Sequence, residues 1–181
     1  MVGVENFPYQ DILKPVLGDV MIDLGGTVAM KTTQPDREVF TLKDSVSTAP
    51  IICYESIYGE YVTGYVKNGA QFLSIITNDA WWGNTAGHRQ HASYAKLRAI
   101  ETRRSVARSA NTGISEIIDP TGKVTHKLGY EKQGTLSGKI ILNDEITFYA
   151  LHGDYIARIS KFLALFIFLF AIVGFKRSKY F

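Results

Sequence analysis

Hydrophobic positions follow two kinds of pattern up to about residue 150 and a third beyond it. Pro50-Ile51-Ile52-Cys53-Tyr54 and "FLSIITN", Phe72 to Asn78, are short apolar runs bounded by turn formers. Runs of this length rich in β-branched residues predict strands covered on both faces, as in an α/β sheet. Between them, Ser56 to Asn68 carries Ile57, Tyr61 and Tyr65 with Tyr58, Val62 and Val66 at helical spacing, and "NGA" supplies a glycine stop. The unit is predicted to be β-α-β with parallel strands.

Downstream, "NDAWWGNTAGH" is polar and glycine-rich around Trp81 and Trp82, and reads as a loop leaving the carboxyl end of a strand. Arg89 to Ala107 lacks Gly and Pro and places Ala92, Ala95, Ala99 and Ile100 on one face, which predicts a helix. "ISEIID" and "KVTHKL" flank "PTG", a hairpin signal, and "GTLSGKIIL" predicts one further strand. The first fifty residues, broken by Pro8, Pro15, Gly25, Gly26 and Pro35, read as loops with short elements.

The third pattern is the tail. Phe162 to Phe175 has no polar side chain, but fourteen helical residues cover only about 21 Å of a roughly 30 Å hydrocarbon core. Counting back through Ile159 and Ile156, with Arg158 and Lys161 snorkelling, gives about twenty residues, enough to span. A buried core helix is the competing reading. All-round apolarity with basic residues at both ends favours a transmembrane helix over residues 158–175, after a domain at 1–150 and a linker at 151–157. Lys176, Arg177 and Lys179 make residues 176–181 a basic tail expected on the cytoplasmic side, with the domain on the other.

Composition narrows the function. With 181 residues there is room for one sizeable domain, and a charge of +3, spread evenly and without zinc-finger spacing, gives no reason to expect nucleic acid. The N-terminus has neither the basic nor the apolar region of a signal peptide. Cys53, the one cysteine, excludes an internal disulfide. It either packs as a small hydrophobe or is a nucleophile at a strand end, and a nucleophilic thiol needs a base. Glu55 and Glu60 are near it in sequence, whereas His88, His91, His126 and His152 lie far along, so Cys-His pairing stays open. His88 and His91 have the spacing of a metal pair but no third ligand motif, so no metal or cofactor is expected. Trp81 and Trp82 could line a lipid path or simply pack. Asn78 and Asp79 are expected to shape their loop, and most of Arg98, Arg103, Arg104 and Arg108 to lie on a solvated helix face.

Taken together, "PIICYE", "TNDAWWG", "QHASYAKLRAIETRRSVARSANTGIS", "DPTGKV" and the apolar tail resemble the bacterial apolipoprotein N-acyltransferases, membrane enzymes with a nitrilase-like domain. The resemblance implies an α/β fold, an α-β-β-α sandwich incomplete at its N-terminus. It implies Cys53 as nucleophile, the Tyr54 backbone N–H as oxyanion donor and Glu55 as support for the nucleophile turn. Trp81, Trp82 and Asn78 fall where substrate would bind. "VGVENFP" resembles a stretch whose glutamate acts near the site, which is Glu5 here, while the family's base glutamate and oxyanion lysine are expected upstream of Met1. The implied reaction moves a fatty acyl chain from a phospholipid, through a cysteine thioester, to the N-terminal amine of a diacylglyceryl-cysteine apolipoprotein. The implied location is the bacterial inner membrane, with the catalytic domain on the periplasmic face and this chain alone inactive. A soluble nitrilase-superfamily amidase and an inactive membrane-anchored fragment are the alternatives.

Overall fold

The computed structural model describes residues 36–178. They form a six-stranded sheet ordered β1-β2-β3-β4-β5-β6, with β1 Phe40–Thr41, β2 Ser47–Ile52, β3 Phe72–Thr77, β4 Val106–Ala110, β5 Ser115–Ile118 and β6 Val124–Leu128. β2, β3 and β4 run parallel and the remaining pairs are antiparallel. The helices are α1 Gly59–Lys67, α2 Ala86–Thr102, α3 Phe148–His152 and α4 Tyr155–Ser178. Glu5 lies outside the described residues, as do most of the N-terminal loops expected from the sequence.

One face of the sheet builds the core. Ala49, Ile51, Leu73, Ile75, Val106 and Ile118 pack against Val62, Tyr65 and Val66 of α1, Ala95 and Ala99 of α2, and Ala150 of α3. The opposite parity carries Ile52 and Ile76, which are 43% and 56% exposed. The described residues thus form one sheet layer and one helix layer, half of the expected sandwich. Pro50 sits in the part of β2 beyond its two pairs with β1, where, among the described residues, one side of the strand has no neighbour and a missing N–H is tolerated.

Several boundaries differ from the sequence expectation. β2 begins at Ser47 and ends at Ile52, and Cys53–Ile57 is a 3-10 turn, so α1 starts only at Gly59. The second helix ends at Thr102 rather than Ala107, because Arg103 turns left-handed (φ 53°) and Arg104 buries its guanidinium on the carbonyls of Ala70, Thr102 and Glu145. Tertiary bonding stops this helix where no Gly or Pro does. Arg98, Arg104 and Arg108 are buried, which corrects the solvated-face expectation; Arg103 is exposed as expected. Among the described residues "GTLSGKIIL" joins no ladder and instead runs without regular structure, tethered where the Ile141 N–H donates to the Ser105 hydroxyl. The β5–β6 hairpin forms as read, its turn organised by Asp119 Oδ1, which accepts from Thr121 and from the Lys123 N–H.

α4 begins at Tyr155, inside the segment read as a linker. Tyr155–Ile172 is long and apolar enough to cross a membrane, with mean hydropathy 2.0 and none of it buried. It leaves the domain at a fixed point, because Glu60 of α1 accepts from the Asp154 N–H (2.6 Å) and pairs with Arg158.

Candidate active site

The register of the parallel strands assembles the site. Ile52 pairs with Ile76, so the residues that follow, Cys53 and Thr77, emerge side by side at the carboxyl ends of β2 and β3, where open α/β sheets place their ligands. Cys53 has φ 51°, a left-handed conformation that costs a non-glycine residue roughly 1–3 kcal/mol. It is held there by the turn that follows. The Ser56 hydroxyl donates to the Cys53 carbonyl (2.8 Å), and the Glu55 carboxylate accepts from the Ile52 N–H (2.8 Å) and the Tyr61 hydroxyl (3.0 Å). A strained cysteine at a strand-to-helix turn, pinned on both sides, is the arrangement expected of a nucleophile.

Behind the thiol lies a buried polar network. Thr77 Oγ1 is 3.2 Å from Cys53 Sγ and 2.9 Å from Asp79 Oδ1. Asp79, fully buried, also accepts from His91 Nδ1 (2.9 Å) and from Arg108 (2.7 Å). Arg108 donates in addition to the Ile114 carbonyl. The far nitrogen of His91, Nε2, lies 3.2 Å from the Ser56 hydroxyl and 3.3 Å from the Cys53 carbonyl, which closes a ring around the Cys53 turn. Burial by itself would raise the Asp79 pKa, but the bonds from His91 and Arg108 outweigh it and hold the carboxyl at about 2. Asp79 is therefore an anion at neutral pH.

Sequence reasoning had Asp79 shaping its loop; it is instead the centre of a buried ion-pair cluster. Asn78 does the turn work, its Oδ1 accepting from the Ala80 N–H. The open question of Cys-His pairing resolves against direct contact, since His91 addresses the backbone of Cys53 rather than Sγ. His88 turns elsewhere, to the Gly83 carbonyl and the Tyr130 ring. The tryptophans divide: Trp82 lies over His91 with ring centroids 5.1 Å apart, while Trp81 is 62% exposed. Tyr54 and Tyr58, both exposed, stack edge to face beside Cys53, so the outer rim is aromatic. Thr77, His91, Ser56 and Arg108 were not singled out as site residues. Register could have found Thr77, and a charged residue at an inward strand position, two after Val106, is the signal that marks Arg108.

A left-handed, buried cysteine stands at the carboxyl edge of a parallel sheet, one hydroxyl away from a buried carboxylate, and family comparison gives the class. Residues 14–148 match the carbon-nitrogen hydrolase family, and the chain belongs to it. Relatives found by sequence are more specific. The apolipoprotein N-acyltransferase of Chlorobaculum tepidum is 42% identical over 66% of this chain and 23% of its own length; that of Agrobacterium fabrum is 37% identical over 97% and 32%. The chain thus spans about a quarter to a third of these relatives. Among solved structures, a cysteine-to-alanine mutant of an amidase from Nesterenkonia AN1, of the nitrilase superfamily, matches with TM-score 0.54 at 17% identity, covering 73% of this chain and 50% of that one. A second structure of that amidase, with acrylamide added at its active site cysteine, matches with TM-score 0.50 at 18% identity, covering 73% and 51%. These establish the nitrilase fold.

Proposed function

We propose that this chain is the acyl-bearing part of an apolipoprotein N-acyltransferase. The observation that carries the reading is Cys53, left-handed at the end of β2 and seated on a buried hydroxyl–carboxylate network, in a chain similar over nearly all its length to enzymes of that name. In the first half-reaction the Cys53 thiolate attacks a phospholipid ester carbonyl. The tetrahedral intermediate collapses to a thioester and expels the lysophospholipid alkoxide, which takes up a proton from the acidic form of the base. In the second, the α-amino group of a diacylglyceryl-cysteine attacks the thioester, the base takes the amine proton, and the thiolate departs. A thioester suits this division, being reactive toward an amine yet durable where water is excluded.

Within this scheme the Tyr54 backbone N–H faces the oxyanion and Glu55 holds the turn that presents the sulfur. Tyr54, Tyr58, Trp81 and Trp82 give the acyl chain an apolar rim. Asn78 shapes the loop carrying the tryptophans. We assign the base and the oxyanion lysine to the part of the relatives that this chain does not match, so the chain by itself is not expected to turn over. α4 anchors the domain in the bacterial inner membrane, with Glu60 fixing its exit on the side of α1 nearest the nucleophile turn and the domain on the periplasmic face. The test is transfer: with phospholipid and a diacylglyceryl-cysteine peptide, the chain completed by the remaining segment of a relative is expected to add one fatty acyl mass to the peptide amine. Transfer that survives Cys53→Ala refutes the assignment.

A further inference from the structure

We propose that Thr77 is a positioning residue that turns its single hydroxyl hydrogen from Asp79 to Cys53 Sγ when the thiol ionises. The geometry poses a counting problem. Thr77 Oγ1 is within hydrogen-bond distance of both Sγ (3.2 Å) and Asp79 Oδ1 (2.9 Å), and it has one hydrogen to give. While sulfur keeps its proton, S–H donates to Thr77 and Thr77 donates to Asp79. Once the thiol proton has left for the base, or for water, a thiolate with no donor would face the Thr77 lone pair. The hydroxyl then rotates to S⁻.

Asp79 can release that hydrogen at small cost because it keeps two donors, His91 at 2.9 Å and Arg108 at 2.7 Å. Arg108 and His91 also set the electrostatics, since without them a buried anion one hydroxyl away would oppose ionisation of the sulfur. Thr77 is 6% and Cys53 3% exposed, so water does not substitute readily for the hydroxyl. Among the described residues, the charged or titratable groups facing the cluster are Asp79 after β3, His91 from α2, Arg108 from β4, Glu55 and Tyr54 on the nucleophile turn, and Tyr130, which senses the Asp79 charge. The inference gives a reaction-specific role to a residue on the strand beside the nucleophile. It rests on Cys53 being the nucleophile, but concerns the sulfur alone.

The single cysteine makes the test clean. The full chain in detergent is alkylated with iodoacetamide across pH, and Cys53 modification is followed by intact mass. Thr77→Val keeps the shape and removes the hydroxyl. The expected result is a pH–rate profile displaced upward by about one unit, so that alkylation at a fixed pH below both midpoints slows about tenfold. Thr77→Ser, which restores the hydroxyl, returns the profile towards wild type. Should the valine variant lose its native circular dichroism, Thr77→Ala replaces it with the same expectation. A uniform fall in rate with an unmoved midpoint would show that Thr77 only packs or serves Asp79, and overturns the proposal, as does a downward shift. Failure of acyl transfer with the displaced profile intact would instead count against the acyltransferase reading, leaving Thr77's role standing.

Discussion

Removing the charge at Asp79 is the most informative single perturbation. Asp79→Asn keeps the size of the side chain but leaves Arg108, 3% exposed, as a buried cation with its carboxylate partner gone. Breaking a buried pair in this way costs about 3–5 kcal/mol, a large share of a typical domain's 5–15 kcal/mol. The loss also has a pH signature whose sign follows from the folded pKa. The Asp79 carboxyl is lowered from 3.8 to about 2, so its stabilisation is present above the unfolded value and lost as pH falls through roughly 4 to 2. That shift corresponds to about 2 kcal/mol. Urea unfolding can be followed by the fluorescence of Trp82, which lies over His91, together with Trp81. Wild type is expected to lose about 2 kcal/mol between pH 5 and 2 beyond whatever Asp79→Asn loses over the same interval. If both proteins lose stability in parallel, or the variant is within about 1 kcal/mol of wild type at pH 7, Asp79 is not the anchor described here.

Further outcomes follow from other contacts. A Cβ at Gly113 would lie 2.7 Å from Asp79 Cβ and Cγ, so Gly113→Ala should displace the carboxylate, cost about 1–3 kcal/mol in urea unfolding and slow Cys53 alkylation. Glu55→Ala removes the acceptor for the Ile52 N–H and the Tyr61 hydroxyl; a loss of about 1–3 kcal/mol is expected, and unchanged stability would show that the turn holds Cys53 without it. Truncation after Gly153 removes the wholly exposed apolar helix, and the shortened chain should leave the membrane fraction without detergent.

How far the sequence reveals this molecule depends on the range of the interactions. The β-α-β unit, the hairpin at Asp119 and the apolar helix were legible because each is written in local periodicity and turn chemistry. The end of α2 was not: Arg103 and Arg104 are good helix formers, and only distant carbonyls, Ala70 and Glu145, draw the chain out of the helix. "GTLSGKIIL" has strand composition but, among the described residues, no neighbouring strand to pair with. Cys53, Tyr54 and Glu55 were named from a contiguous motif. Thr77 and Asp79 come from β3 and the loop just after it, His91 from α2 and Arg108 from β4, and their joint role exists only once β3, β4 and α2 are packed. Asp79 looked like a turn residue because an aspartate after a strand usually is one; full burial beside an arginine reverses that reading.

The central claim, that Cys53 carries the acyl group, is tested most directly by its mass. The chain would be reconstituted with phospholipid together with the remaining segment of a relative, trapped in acid, and its intact mass and Cys53 peptide measured. A fatty acyl increment on Cys53, removed by neutral hydroxylamine and absent from Cys53→Ala, is the expected result. A completed protein that transfers acyl chains while its cysteine peptide stays unmodified, under conditions that trap thioesters, would contradict it.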